Sequence, residues 1–491
     1  MKLSRDIKDF FISSQTIDSN TSRIKFISKI YIWSVVMEPF YMFVLAPQGI
    51  TGIGANFARI LQFIVCASLC LKFFSSKRDR DIILNSFSPL NNNFTYYFIF
   101  IILVGFLGFY TGSYSFNIDF STHVVNNSII ADFIRGHSFR PFLEYFIVLY
   151  YFVYFVVLAS YMLTTKEAID YFFKLSVIAL LACLFVGFLD LLWIAFTEYE
   201  GFPRHISDGR SVGFRFHGIA GEPRDAFSFL MLGLGILTLR DIWEDKKKLT
   251  LFWIILITTS TLLTQSFSGI LGFVFFGILV MIYYLPYTSL KIKLLFFSIA
   301  LFVCLAIFIN TLLSDRLTRY YYEFFWLYSL LEGGPLKEID WASRCNFPNI
   351  TECDRFVSGF KGQMNNIYPI WHLWEEIKEF NFLHLFIGNG LGSSSVVNNY
   401  YMHSNGLENP HAGIIRSIYE TGVIGTLLFI AVFLTPIKKM YMNDNIHFKL
   451  TLFMLLMLGM YFAHRSAIPY IFLGVVLVVL NNKSMTSNGT S

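Results

Sequence analysis

Apolar runs of about twenty residues recur along this chain, divided by polar loops. That is the length a helix needs to cross roughly 30 Å of hydrocarbon, so it leaves few alternatives for the fold. The runs fall at 30–46, 54–74, 95–112, 141–164, 171–197, 224–239, 249–264, 267–286, 293–313, 411–436, 448–463 and 466–481. They predict an all-α polytopic membrane bundle of about twelve transmembrane helices, forming one domain over 1–491. Charge agrees with this: only 14% of the 491 residues are charged, against about 25% in soluble domains. Met1 to Lys29 is too long, polar and mixed in charge for a signal peptide, so the first span is expected to stay in the mature protein.

The net charge of +5 does not point to nucleic acid, because the basic residues sit in short loops between spans. The positive-inside rule puts such loops in the cytoplasm. One alternating set holds Lys77-Arg-Asp-Arg80, Lys166, Arg240 with Lys246 to Lys248, Lys291 and Lys293, and Lys438, Lys439 and Lys449. With an even number of spans both termini are then inside. The outer set holds 113–140, 198–223, the hairpin at His464-Arg465, and a long insertion of 314–410 between the ninth and tenth spans. Within it, 370–380 reads as an amphipathic helix at the membrane surface or capping the bundle, with Ile370, Leu373, Trp374 and Ile377 on one face. No internal repeat of the kind found in many secondary transporters is visible.

Chemistry-bearing residues gather in the outer loops. Arg210, Arg215, Arg224 and His217 fall within fifteen residues, interspersed with glycines. Guanidinium forks match phosphate oxygens and keep their charge, and glycines let backbone approach a ligand. Glu222-Pro223 marks a helix start. Further on come Gly388-Asn-Gly390-Leu-Gly392, which reads as a set of turns, and Pro410-His411 at the mouth of the tenth span. The imidazole of His411 can accept a proton near neutral pH. Glu420 is placed to pair with Arg416, four residues before it, rather than with His411. Arg59 lies in an apolar run, where a charge is either functional or reaches to the interface. Asp79-Arg-Asp81 resembles a metal-binding acidic pair, but it falls on the cytoplasmic side. Ser266-Phe-Ser268-Gly269 has no base near it in sequence and reads as a helix hairpin. Cys66, Cys70, Cys183 and Cys304 read as small buried side chains. Cys345 and Cys353, close together in a polar loop, either form a disulfide on an oxidising face or remain two thiols. No cysteine–histidine cluster has metal-site spacing.

In order, Arg215-x-x-Gly218-x-x-x-Glu222-Pro223, Ser266-x-Ser268-Gly269, Gly388-x-Gly390-x-Gly392-Ser393, Pro410-His411 and Glu420-x-Gly422-x-x-Gly425 resemble the pattern of the O-antigen polymerase (Wzy-type) and O-antigen ligase superfamily. The layout of about twelve spans, with one dominant outer loop before the last three, resembles it as well. What the resemblance implies is an inverting, metal-independent glycosyl transfer between undecaprenyl pyrophosphate-linked oligosaccharides, without a cofactor, at the periplasmic face of a bacterial inner membrane. His411 would be the base that takes the acceptor proton. Arg215, with Arg210 or Arg224, would hold the departing pyrophosphate. Arg59, His217 and Arg416 are further substrate-binding candidates, and Glu222, Gly388, Gly390, Gly392 and Glu420 structural ones. Membrane lipids and a chain-length regulator protein are the other expected partners. The residue after His411 is alanine, where the family usually has asparagine.

The expected function is therefore a repeat-unit polymerase for O-antigen or another surface polysaccharide. A ligase that passes the chain to lipid A core differs in its acceptor. A non-catalytic flippase would instead require repeats and many charges deep in the spans. The deep charges are few, chiefly Glu38, Arg59, Glu144 and Asp190.

Overall fold

A computed structural model describes residues 25–40, 44–46, 55–75, 77, 80–81, 92–105, 140–197, 215–220, 223–245, 250–284, 290–313, 366–402, 410, 412–439 and 444–488. These residues form a helical bundle, with one short two-stranded ribbon pairing Val44–Ala46 with Ala55–Asn56. Among the described residues, eight helices are long and apolar enough to cross a bilayer: Phe57–Ser75, Phe142–Met162, Lys166–Thr197, Pro223–Glu244, Phe267–Tyr284, Leu290–Ile309, Gly413–Leu434 and Ile446–Ala463. Four shorter apolar helices, Phe26–Val36, Asn93–Gly105, Leu251–Leu263 and Ile468–Asn482, stand where four more spans are expected. A helix satisfies its own backbone groups, which hydrocarbon cannot do. Large apolar side chains such as Phe63, Phe74 and Phe196 point outward, a surface suited to lipid rather than water.

Small residues let the helices approach closely. Gly272 of Phe267–Tyr284 meets Gly459 of Asp444–Ala463, and a methyl group at 459 would stand 2.6 Å from the Gly272 carbonyl oxygen. Close backbone contact of this kind holds membrane helices together where the hydrophobic effect between them is absent. At the centre, Phe152, Phe429, Phe433 and Tyr470 form a ring cluster with centroid separations of 4.9 to 6.1 Å.

Several boundaries differ from expectation. The first helix runs Phe26–Val36 rather than 30–46. Pro39 lacks an N–H and disfavours helical geometry at the residue before it, so the chain turns at 37–39. The Phe142–Met162 span is interrupted by a π-helical stretch, Phe152–Val157. The polar hinge does divide two helices, Leu251–Leu263 from Phe267–Tyr284, with Gln265 at φ +49°. The surface helix is formed over 366–378. It buries Tyr368, Trp371 and Leu373, and Ile370 and Trp374 face out. Leu373 is thus on the inner face, apart from the two residues expected beside it. Cys183 is buried as expected, whereas Cys70 and Cys304 are exposed on apolar helices, where a thiol behaves as a small hydrophobe.

Candidate functional site

Residues 215–220 enter the bundle between helices. Phe216 is fully buried; its ring fills the notch at Gly187 and meets Phe188 at 5.5 Å, and its N–H donates to the Leu263 carbonyl at 2.9 Å. His217 Nε2 lies 2.7 Å from Asp190 Oδ2, with both side chains 1% exposed. Gly218, at φ +55°, passes so close to Cys183 that a side chain would meet its sulfur and carbonyl. Arg215 donates from Nε to the Thr264 carbonyl at 3.2 Å and from a terminal nitrogen to the Gln265 carbonyl at 3.3 Å. Its charge therefore faces the negative, C-terminal end of Leu251–Leu263. Ser266 caps the next helix by accepting the Gly269 N–H at 3.2 Å. Gly269 in turn abuts the ring of Phe227, in the first turns of Pro223–Glu244, the helix that begins with Arg224 and Asp225.

Asp225 lies 3.6 Å from His464, in the turn between Asp444–Ala463 and Ile468–Asn488. Next to it, Arg465 donates to Glu144 Oε2 at 2.7 Å, and Arg416 reaches the same oxygen at 2.5 Å. Arg416 also donates to Glu420 Oε1 at 3.1 Å, the i,i+4 pair expected from sequence, and Ser394 donates to that carboxylate at 2.5 Å. Glu144 is 1% and Arg416 7% exposed. Buried charges are tolerable only when answered like this, two guanidinium groups against two carboxylates.

The glycine turn docks onto a break in a helix. Gly422 takes φ +66° and ψ −175° inside Gly413–Lys439. Beside the break, the carbonyls of Tyr419 and Glu420 accept the N–H groups of Asn389 at 2.7 Å and Gly390 at 3.0 Å, and Leu391 N–H reaches Gly105 O at 3.2 Å. Gly388, Gly390 and Gly392 have φ of +84°, +93° and +81°, a region that glycine enters without steric cost. The turn thus binds a helix of the same chain. From outside it is braced by 366–378: Asn389 donates from its side chain to Glu376 at 3.4 Å, and Glu376 lies 2.6 Å from His384. Tyr419 Oη is hydrogen-bonded to His372 Nδ1 at 2.8 Å. Burial holds the His372 pKa down at about 4, against the pull of Glu376, so the ring is neutral near pH 7.

Ala412 and Gly413 are also held in place. Ala412 N–H donates to the Asn366 side chain at 2.9 Å, and Gly413 sits against the Tyr461 carbonyl, three residues before His464. His411 itself lies outside the described residues, as do Arg210, Glu222, Cys345 and Cys353. Arg59 belongs to a separate group. It donates to Glu38 at 2.6 Å and to Gln62 at 3.3 Å, and Gln62 accepts from Tyr150 at 2.6 Å. Its charge is answered inside the protein.

An arc of contacts therefore runs from Arg215 through Ser266, Gly269 and Phe227 to the helix start at Arg224 and Asp225, and on through His464 to Arg465, Glu144 and Arg416. Among the described residues, Glu144 and Glu420 face Arg416 and Arg465, Asp225 faces His464, and Asp190 faces His217. Helices Pro223–Glu244, Phe267–Tyr284 and Gly413–Lys439 start in the arc, and helix starts carry partial positive charge. The arrangement suits an anionic group. Glu144 and Asp190 stand out in sequence as charges within apolar runs, but Arg465 gives no such signal beyond its place in an outer turn. No protein-family model matches the chain, and no curated protein matches it.

Proposed function

We propose that this chain is a repeat-unit polymerase for a surface polysaccharide, acting on undecaprenyl pyrophosphate-linked glycans at the periplasmic face of a bacterial inner membrane. The arc of contacts that runs from Arg215 past Arg224 to Arg465 and Arg416, with Ala412 and Gly413 held beside it, supports this reading best. In the proposed topology about twelve helices cross the membrane, both termini are cytoplasmic, and 314–410 is periplasmic.

In the reaction the acceptor sugar hydroxyl attacks the anomeric carbon of the donor. The bond from that carbon to the pyrophosphate oxygen breaks, and its electron pair leaves with the pyrophosphate. The hydroxyl proton passes to His411. Charge grows on the leaving group as the bond breaks, so fixed cations in a partly dry site stabilise the transition state more than the ground state. Arg215 and Arg224 are assigned to that charge. Arg416, held by Glu144 and Glu420, stands beside them; Arg59, in its separate group with Glu38, and the buried His217 are not assigned to that charge.

His411→Ala in a producing cell tests the proposal. Long chains should disappear while single repeat units still reach the surface; loss of export itself would point to a transporter.

A further inference from the structure

Asp190 and His217 present a problem that Arg215 resolves. A carboxylate within an apolar 32-residue helix is costly unless it has a specific partner. Asp190 has one in His217, at 2.7 Å with both groups almost wholly buried, so the pair cannot meet a substrate directly. His217 does sit two residues from Arg215, in the short segment that threads between Lys166–Thr197 and the Leu251–Leu263/Phe267–Tyr284 hinge. Toward the first helix the segment is held by Phe216 in the Gly187 notch, by Gly218 on Cys183, and by the 2.7 Å approach of His217 to Asp190. Toward the hinge it is held by the Phe216 N–H and by Arg215 itself. The Cys183 side is partly polar, since its sulfur also takes the backbone N–H groups of Ile219 and Ala220. The Asp190–His217 contact is the buried carboxylate–imidazole contact nearest Arg215, and with the others it sets where the guanidinium two residues earlier meets the Thr264 and Gln265 carbonyls.

We infer that Asp190 and His217 are positioning residues for Arg215, aiming its guanidinium at the anion held in the arc. This rests on the proposed glycosyl transfer and deepens it by naming what sets the geometry of the pyrophosphate-binding arginine.

A double-mutant cycle on purified protein in lipid, supplied with a pyrophosphate-linked oligosaccharide donor, tests it. Asp190→Asn keeps size and can still accept from His217, so the chain should fold; melting temperature checks this. The single change should raise KM for the donor about tenfold with a smaller change in kcat. Arg215→Ala should raise KM as well. In the Arg215→Ala background, Asp190→Asn should then change KM by less than about twofold, because its effect passes through the missing arginine. Equal effects of Asp190→Asn in both backgrounds would overturn the inference, as would an unchanged KM in the single variant. If instead Arg215→Ala leaves transfer untouched, the proposed role of the arginine itself fails. Should Asp190→Asn melt too early to assay, His217→Gln enters the same cycle, with the same outcomes expected.

Discussion

Arg465 lies 2.7 Å from Glu144, a residue 321 positions earlier in the chain. Arg416 meets the same carboxylate oxygen, so one acidic side chain ties together the starts of two helices and the turn between two others. Glu144→Gln would leave two buried guanidinium groups facing a neutral amide. Removing one partner of a buried ionic group costs about 3–5 kcal/mol. Thermal unfolding in detergent should show a large drop in melting temperature for Glu144→Gln. The double variant Glu144→Gln with Arg465→Gln should recover part of the loss.

Gly388 and Gly422 stand backbone to backbone, both at positive φ. Alanine at either would place a methyl group onto peptide atoms of the facing strand of chain, and it would also take on about 1–3 kcal/mol of conformational strain. Gly422→Ala and Gly388→Ala should therefore lower expression and melting temperature sharply. Gly277 is a control. A methyl group there would meet Ile299 at an ordinary 3.5 Å, and alanine favours a helix by about 1 kcal/mol over glycine. Gly277→Ala should leave stability unchanged or slightly raised.

The neutral state of His372 ties stability to pH. Its pKa is about 4 in the folded chain against 6.5 for an unperturbed histidine, so the unfolded state binds more protons between these values. Its contribution is complete above about pH 6.5 and is lost as pH falls toward 4, at about 1.4 kcal/mol per pH unit within that window. Melting temperature measured from pH 7.5 to 4.5 should fall more steeply for the wild type than for His372→Gln. Parallel curves would show that His372 does not titrate in this way.

Much of this was legible in the sequence because hydrocarbon imposes a length and a composition that few other environments do. The helices follow the apolar runs, and the i,i+4 spacing of Arg416 and Glu420 foretells their contact. What could not be read was anything set by partners distant in sequence. Glu144 and Asp190 declare themselves as costly charges, but nothing local says that one will hold Arg465 and the other His217. The glycine turn is legible as a turn. Its docking surface needs the break at Gly422, which a run of helix-compatible residues on either side conceals. The first helix ends before its apolar run does, because the run continues past Pro39, where backbone geometry overrides hydropathy.

Arg215→Lys probes the shape of the cation rather than its charge. Lysine keeps the charge but loses the planar fork that spans the Thr264 and Gln265 carbonyls and that, in the proposed site, would present donors to phosphate. Transfer rate at limiting donor should fall roughly ten- to a hundredfold, about 1.4–2.7 kcal/mol of lost transition-state binding. A variant with full activity would remove Arg215 from the site.

Polymer formation by the purified protein, reconstituted in lipid with an undecaprenyl pyrophosphate-linked repeat unit, tests the central claim most directly. The account predicts chains of several units from the wild type, released pyrophosphate carrier in step with each bond formed, and neither product from His411→Ala. Polymer from His411→Ala at the wild-type rate, or none from the well-folded wild type supplied with its cognate unit, would contradict it.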